Sequence, residues 1–378
     1  MPFSSHHPES PKSWTVQVSR QVKDEAWDAF LKQANTGHHV QSSAWAETKA
    51  DLGWKVVRIT VSEGQSIVAG IQILIGSKRW IGKLAFASKG PVFLYEDEAL
   101  EYFMLKELQK CIRYNDIRYF ALQAPQASKR FKNILRNMAF EESETSLAPR
   151  ATVIIDLRAS EEDLFARMRK KTRQNIKKGL RAGIQIRQGS FEDIKSFYGL
   201  LELSAQRIGF QAFPESYYQT MWQAFKKRQK EQEQIVLLFA EFDEELISAL
   251  LVIGYNQTAV TKAIGWSGLH TNWRPNEAVY WAAVQWAKAQ GYRFIDLEGI
   301  KEEAADSLLK GEPLSDAMRH TSSFFKIGFG GEIKKLPPAY DYIPNPLLKW
   351  GYTKILPKIK NSSFMTGLLE RIRTQEQR

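Results

Sequence analysis

The sequence predicts an α/β (α+β) protein made of two copies of one structural unit. Three observations lead there. The chain has 378 residues, more than one ordinary core needs and enough for two domains. A strand, an acidic turn and a second strand occur in each half. After each such hairpin, a helical stretch leads into a further apolar strand of similar sequence.

In the first half the hairpin runs from Val56 to Val61, turns at Ser62-Glu63-Gly64-Gln65 and returns from Ser66 to Ile75. In the second it runs from Ile235 to Phe242, turns at Asp243-Glu244-Glu245 and returns from Leu246 to Ile253. A small-residue pair stands early in each return strand, Ala69-Gly70 and Ser248-Ala249. A helix from Leu100 to Arg113 precedes the strand Ile117 to Gln123; one from Asn276 to Gln290 precedes Tyr292 to Glu298. Val279, Ala282, Ala283 and Trp286 recur at helical spacing and are expected to face a core.

Between the copies, Ser160 caps a helix whose first turn carries Glu161, Glu162 and Asp163 and which Gly183 ends. Phe165, Met168, Ile176 and Leu180 form its apolar stripe. The other face holds Arg167, Arg169, Lys170, Lys171, Arg173, Lys177, Lys178 and Arg181, with no acid between Asp163 and Glu192. Such a face either meets phosphate or is simply solvated. From Leu347 on, apolar residues alternate with Lys349, Lys354, Lys358, Arg371 and Arg373. This tail suits an anionic lipid surface or a plain terminal helix.

Composition narrows the function classes. The 53 basic and 42 acidic residues give a net charge of +11, which favours anionic partners such as RNA or pyrophosphate-bearing molecules. The single cysteine, Cys111, forbids an internal disulfide or a cysteine zinc cluster. The six histidines lack metal-protease spacing, so no metal is expected. Met1 to Ser13 is polar and has no apolar core of a signal peptide, and no apolar run reaches membrane-spanning length. A cytoplasmic monomer is expected, able to touch the cytoplasmic face of the membrane.

Six segments, in order, carry a family resemblance. They are Gln41 to Lys49 followed by Trp54, Phe86 to Val92, Lys171 to Lys178, and Arg207-Ile208-Gly209-Phe210 leading to Pro214 through Tyr218. Then come Pro275 to Trp281 with Ala287 and Asp296-Leu297-Glu298-Gly299, and Phe325 to Gly330 with Tyr340-Asp341 and Asn345-Pro346. Together they resemble the Fem family of peptidoglycan interpeptide-bridge transferases. The resemblance implies two GNAT-like domains. The first, binding the precursor, would span 14–150 plus a returning segment at 327–360, and the second 151–326. Residues 361–378 are left as a basic tail. Many relatives insert a long coiled-coil arm; here only Ser216 to Gln234 is available, so the chain resembles the compact, arm-less type.

The implied reaction moves an amino acid from aminoacyl-tRNA to the stem peptide of a lipid-linked or UDP-linked precursor (lipid II or UDP-MurNAc-pentapeptide), with no cofactor. An amine attacks an activated ester, so the protein positions two anionic substrates and stabilises an oxyanion. The resemblance places Lys326 and Phe325 at the reacting tRNA end, where Phe325 could stack on a base or ribose; alternatively Lys326 snorkels from a buried strand. It places Lys49, Trp45, Gln41, Gly90, Tyr217, Tyr218 and Arg207 at the precursor. Lys49 would face the pyrophosphate, whereas Tyr218 could instead be core. Lys171, Arg173, Lys177 and Lys178 are expected to meet tRNA phosphate.

Three positions depart from the compact type. Ala124-Pro125 stands where a carboxylate is usual, Phe213 where an arginine is usual, and Lys262 to Gly265 lacks a tyrosine. These departures favour a lipid-linked precursor. Three rivals stay open: an acyl-CoA N-acyltransferase, a relative acting on a non-peptidoglycan substrate, and a non-catalytic RNA- or membrane-binding protein. The turn Trp266 to Arg274 lacks the glycine-rich pattern that CoA pyrophosphate needs.

Overall fold

The computed structural model describes residues 13–78, 82–126, 128–143, 149–227 and 234–350. The first half contains β1 (Trp14–Ser19), α1 (Glu25–Gln33), α2 (Ser43–Ala50), β2 (Lys55–Glu63), β3 (Ser66–Lys78), β4 (Gly82–Ser88), β5 (Val92–Phe93), α3 (Glu98–Tyr114), β6 (Ile117–Gln123), α4 (Lys129–Asn137) and β7 (Glu141–Glu142). The second contains β8 (Ala151–Asp156), α5 (Glu161–Arg167), α6 (Lys170–Arg181), β9 (Gln185–Gln188), α7 (Ile194–Ile208), α8 (Glu215–Lys226), β10 (Ile235–Phe242), β11 (Glu245–Tyr255), β12 (Thr258–Trp266), α9 (Pro275–Ala289) and β13 (Phe294–Gly299). The chain continues with α10 (Glu302–Leu309), α11 (Ser322–Ile327), β14 (Glu332–Lys335) and β15 (Tyr340–Tyr342).

The duplicated unit is visible in the strand order. One sheet runs β1-β2-β3-β4-β6-β15-β7, with β5 against β3; the other, taken from its far edge, runs β9-β10-β11-β12-β13-β8-β14. Each has the antiparallel hairpin and then one parallel pair, β4 with β6 and β12 with β13. Helices α3 and α9 make the two crossovers, as a parallel connection requires. The likeness extends to irregularities: the return strand of each hairpin carries one extra residue just after its turn, Val68 opposite Val61/Ser62 and Ile247 opposite Ala240/Glu241. Asp243 and Glu244 both have positive φ, as the two central residues of a tight hairpin require.

Two departures from the sequence reading concern the linking segments. The basic stretch is two helices rather than one. Met168 and Arg169 are extended at the junction, the Arg169 N–H bonds to the Gly328 carbonyl, and the Arg173 guanidinium donates to the carbonyls of Ala166 and Met168. Leu180 does not belong to the apolar stripe: it is 48% exposed. The returning segment is also divided: β14 extends the second sheet beside β8, and β15 alone enters the first, beside β6. Residues 351–378, with most of the basic tail, lie outside the described residues, as do 228–233 after α8.

Each sheet has its own core, one around α3 and one around α9. Two further clusters join the halves. Ala44 and Trp45 of α2 pack among residues of α7, α8, β10 and β11. Trp27, Phe30, Leu31, Ala34 and Val92 pack with Tyr255 of β11. Asp51 accepts hydrogen bonds from Ser216 and Thr220, fixing the end of α2 on α8.

Candidate active site

The seam between the two domains brings together four of the predicted site residues, Trp45, Lys49, Tyr217 and Lys326. It starts at α2, whose N-cap Ser42 takes the Trp45 N–H. This helix is buried on nearly every side, so Lys49 near its end is only 3% exposed. Its ammonium lies 4.9, 5.0 and 5.3 Å from the ring centroids of Trp45, Phe213 and Tyr217. Three electron-rich faces offset part of what an ammonium loses on leaving water. Phe213, where a phosphate-clamping arginine was expected, is thus a wall of the lysine's box.

Tyr217 stacks beside Phe213 at 4.4 Å. Its hydroxyl is buried and, among the described residues, has no hydrogen-bond partner. Burial, then neighbouring Tyr218 and Glu298, hold its pKa well above the usual tyrosine range, so it is a neutral O–H with a donor to spare. Tyr218 lies edge-on to Phe197 and belongs to the core cluster.

On the far side of Trp45, Lys262 of β12 points its ammonium at the indole from 5.1 Å. Lys262 also donates to Glu298 Oε1 at 2.6 Å. Glu298 sits on β13 where its pairing with β8 breaks, between Asp296 and Gly299, and it has φ +58°. A non-glycine residue held at positive φ inside a bulge is aimed by its surroundings rather than by its own preference. The Glu298 N–H bonds to Asp296 Oδ1 at 2.7 Å, and Asp296 also accepts the Thr152 hydroxyl. Burial raises the Asp296 carboxyl pKa, with Glu298 adding to the rise and Thr152 and Lys89 opposing it.

Lys326 completes the group. It lies on the short helix α11, not on a strand, and its ammonium donates to the Gly299 carbonyl at 3.1 Å. Burial lowers its pKa, while the charges of Glu298 and Asp296 act to raise it. Lys89, at the end of β4, is lowered by burial and opposed by the same two carboxylates. Beside it, burial holds the pKa of His38 and His39 well below the usual imidazole range, and among the described residues neither ring nitrogen of His39 has a hydrogen-bond partner.

The remaining candidates stand apart from this chemistry. Gln41 is fully spent on the first sheet. Its Oε1 accepts the Gln72 N–H, and its amide donates to the Ser88 and Gln72 carbonyls. Gly90 packs under it, where a Cβ would come within 3.0 Å of its amide nitrogen. Arg207 lies over Trp266 at 4.5 Å and donates to that residue's carbonyl. Phe325 packs edge-on to Tyr280 and Phe329, within the second core's margin. On α6, Lys171, Lys177 and Lys178 are exposed, while Arg173 is committed to the α5–α6 junction. Arg169 ties that junction to α11: it stacks 3.6 Å from the Phe324 ring and donates to the Phe324 carbonyl.

In the turn before α9, Gly268 is the only glycine between Trp266 and Arg274. Trp273 fills it, stacked on His270 at 4.2 Å and against Phe242 at 4.0 Å.

Sequence reasoning passed over Lys262, Asp296, Glu298, Lys89 and the histidine pair as chemical groups. One signal was present: a lysine within the apolar strand Thr-Ala-Val-Thr-Lys-Ala-Ile and an acidic pair on the neighbouring strand. The parallel register pairs Val260 with Asp296, which places Lys262 level with Glu298.

The family model described as the FemAB family matches residues 22–133 and 138–246. The chain belongs to the FemAB family. Among its relatives is a UDP-N-acetylmuramoylpentapeptide-lysine N(6)-alanyltransferase of Weissella viridescens, 27% identical over 304 residues, which cover 75% of this chain and 86% of that protein. Another is a lipid II:glycine glycyltransferase of Staphylococcus haemolyticus, 26% identical over 215 residues, 53% of this chain. This FemAB protein spans about half the length of that relative, 51%. A crystal structure of FemX covers 90% of the chain and 99% of its own, with a TM-score of 0.76 at 16% identity, which shows the fold. The two halves are GNAT-like domains.

Proposed function

We propose that this FemAB protein transfers an amino acid from aminoacyl-tRNA to the stem-peptide amine of a peptidoglycan precursor, in building interpeptide bridges. The observation that carries the reading is the seam itself: Lys49 in its aromatic box, Lys262 paired with Glu298, and Lys326 beyond them, contributed by both domains. Cations around a partly dry cleft suit a substrate with phosphates and a developing oxyanion. The names of the two relatives point to the same acceptor class, and their acceptors differ in being UDP-linked or lipid-linked.

The precursor lies against the first domain, with Trp45, Lys49 and Tyr217 beside it, and the aminoacyl ester reaches Lys326. The acceptor is lipid-linked. Phe213 leaves no arginine to clamp a soluble diphosphate, and Leu347 and Trp350, 80% and 62% exposed, stand where the basic tail begins. A monomer resting on anionic lipid fits that arrangement.

Incubation with mixed aminoacyl-tRNAs and lipid-linked or UDP-linked pentapeptide, followed by mass spectrometry, tests the proposal. A precursor heavier by one amino acid is expected; no gain with either precursor overturns it. Acetyl-CoA should leave the melting temperature unchanged, and saturable stabilisation would instead favour an acyl-CoA enzyme.

Two variants probe the binding surfaces. Lys49→Met should raise the KM for precursor about tenfold, as loss of one desolvated phosphate contact does. An unchanged KM would remove Lys49 from the precursor site. Replacing both Lys177 and Lys178 with alanine should weaken tRNA binding and flatten its log–log salt dependence by about 1.4 to 1.8, the share of two phosphate contacts. An unaltered slope would show that α6 does not meet the nucleic acid.

A further inference from the structure

We infer that Glu298 is the general base of this site, taking a proton from the attacking amine and passing one to the leaving ribose oxygen. The inference rests on the transfer reaction proposed above. It answers the gap left by Ala124, which supplies no carboxylate in the first domain.

The placement comes from the fold. The bulge in β13 and the positive φ turn the Glu298 side chain toward the seam. Lys262 holds Oε1 at 2.6 Å, and among the described residues no donor occupies Oε2. The carboxylate is therefore anchored by one oxygen and open at the other. It lies between the two halves of the chemistry: its charge acts on Lys326, which sits by the expected ester, and on Tyr217, which sits by the expected precursor. Asp296 is a weaker choice, because its backbone is paired within the sheet to Val260 and Ile154, with the Thr152 hydroxyl and the Glu298 N–H on its Oδ1, whereas Glu298 stands where the pairing with β8 breaks.

The proton count closes. The amine arrives as an ammonium ion, and Glu298 takes one proton from it. The freed nitrogen lone pair attacks the ester carbonyl carbon, forming the C–N bond and an oxyanion that Lys326 faces. As the C–O bond to ribose breaks, the Glu298 carboxyl gives its proton to the departing oxygen. The carboxylate then accepts the surplus proton on the new amide nitrogen and releases it to water.

A test compares two nucleophiles in single-turnover reactions with aminoacyl-tRNA: the stem-peptide amine, and hydroxylamine, which is unprotonated at neutral pH. With Glu298→Gln, the amine reaction should slow by about 100-fold and the hydroxylamine reaction by less than about threefold, because hydroxylamine brings a free lone pair and its own nitrogen proton can pass to the departing oxygen. Equal losses with both would mean that Glu298 merely positions Lys262 and would overturn the assignment. Should Glu298→Gln fail to fold, Glu298→Ala assayed with and without added formate takes its place. Recovery with formate upholds the base; no recovery in a folded variant overturns it. Wild-type protein that forms no product removes the reaction itself. Wild-type turnover beside an undiminished Glu298→Gln removes the base alone.

Discussion

Lys326→Ala is expected to lower the single-turnover transfer rate by about 10² to 10³-fold, the scale of losing one donor at a developing oxyanion. The KM for precursor should stay near the wild-type value, because Lys326 is placed at the ester and Lys49 at the phosphates. Burial weakens the hold of this ammonium on its proton and strengthens its field on a nearby charge, while the charges of Glu298 and Asp296 oppose the first effect. The Gly299 carbonyl fixes its direction at 3.1 Å. The lysine sits at the last turn of a short helix that Arg169 secures from the α5–α6 junction, so truncating it leaves that anchor in place. Lys326→Arg should recover only part of the rate, since a planar fork replaces a point charge. A rate within threefold of wild type for the alanine variant, measured by rapid quench, would remove Lys326 from the chemistry (a threefold change is about 0.65 kcal/mol in the barrier).

Trp27→Ala is expected to be the most damaging substitution away from the chemistry, costing about 3 to 5 kcal/mol of stability. Trp27 is fully buried, and its indole N–H donates to the Gln41 carbonyl at 2.6 Å. Its ring lies so close to β3 that a Cβ on Gly70 would come within 2.5 Å of it, so only glycine fits there. The same ring belongs to the cluster that reaches Tyr255 in the second domain. Removing it opens a cavity at the seam and frees the backbone that leads to Ser42, the cap of α2. Precursor affinity should therefore fall together with thermal stability. Trp27→Phe keeps most of the packing and loses the hydrogen bond, so it should cost less. A thermal midpoint for Trp27→Ala equal to wild type would refute this account of the seam.

The duplicated unit was legible because hairpins and crossover helices are local. The turns at Gly64 and Asp243-Glu244, and the apolar strands after α3 and α9, mark them within short windows. Lys49 and Lys326 were legible only through the order of the family segments. A lysine after a tryptophan, or within a run of phenylalanines, has no special pattern of its own. The Lys262–Glu298 pair was not legible. It depends on a parallel register across a crossover and on a bulge, and neither has a period in the sequence. The basic stretch misled for a related reason: its charges continue past Met168, but the helix stops where Arg173 and Gly328 take the backbone.

What the sequence by itself determined is the α/β class, the repetition of one unit, the positive balance and the membership of Lys49 and Lys326 in a family pattern. These follow from local propensity, composition and motif order, which need no third dimension. Tertiary structure alone decided which of the charged residues share one cleft. It turned Phe213 from a missing clamp into a wall of the Lys49 box, tied Gln41 into the sheet, and brought Glu298 beside Lys262 and near Lys326. The physical reason is range. Burial, ring contacts and charge coupling act between groups a few ångströms apart in space, and the two domains make neighbours of residues that the chain holds far apart.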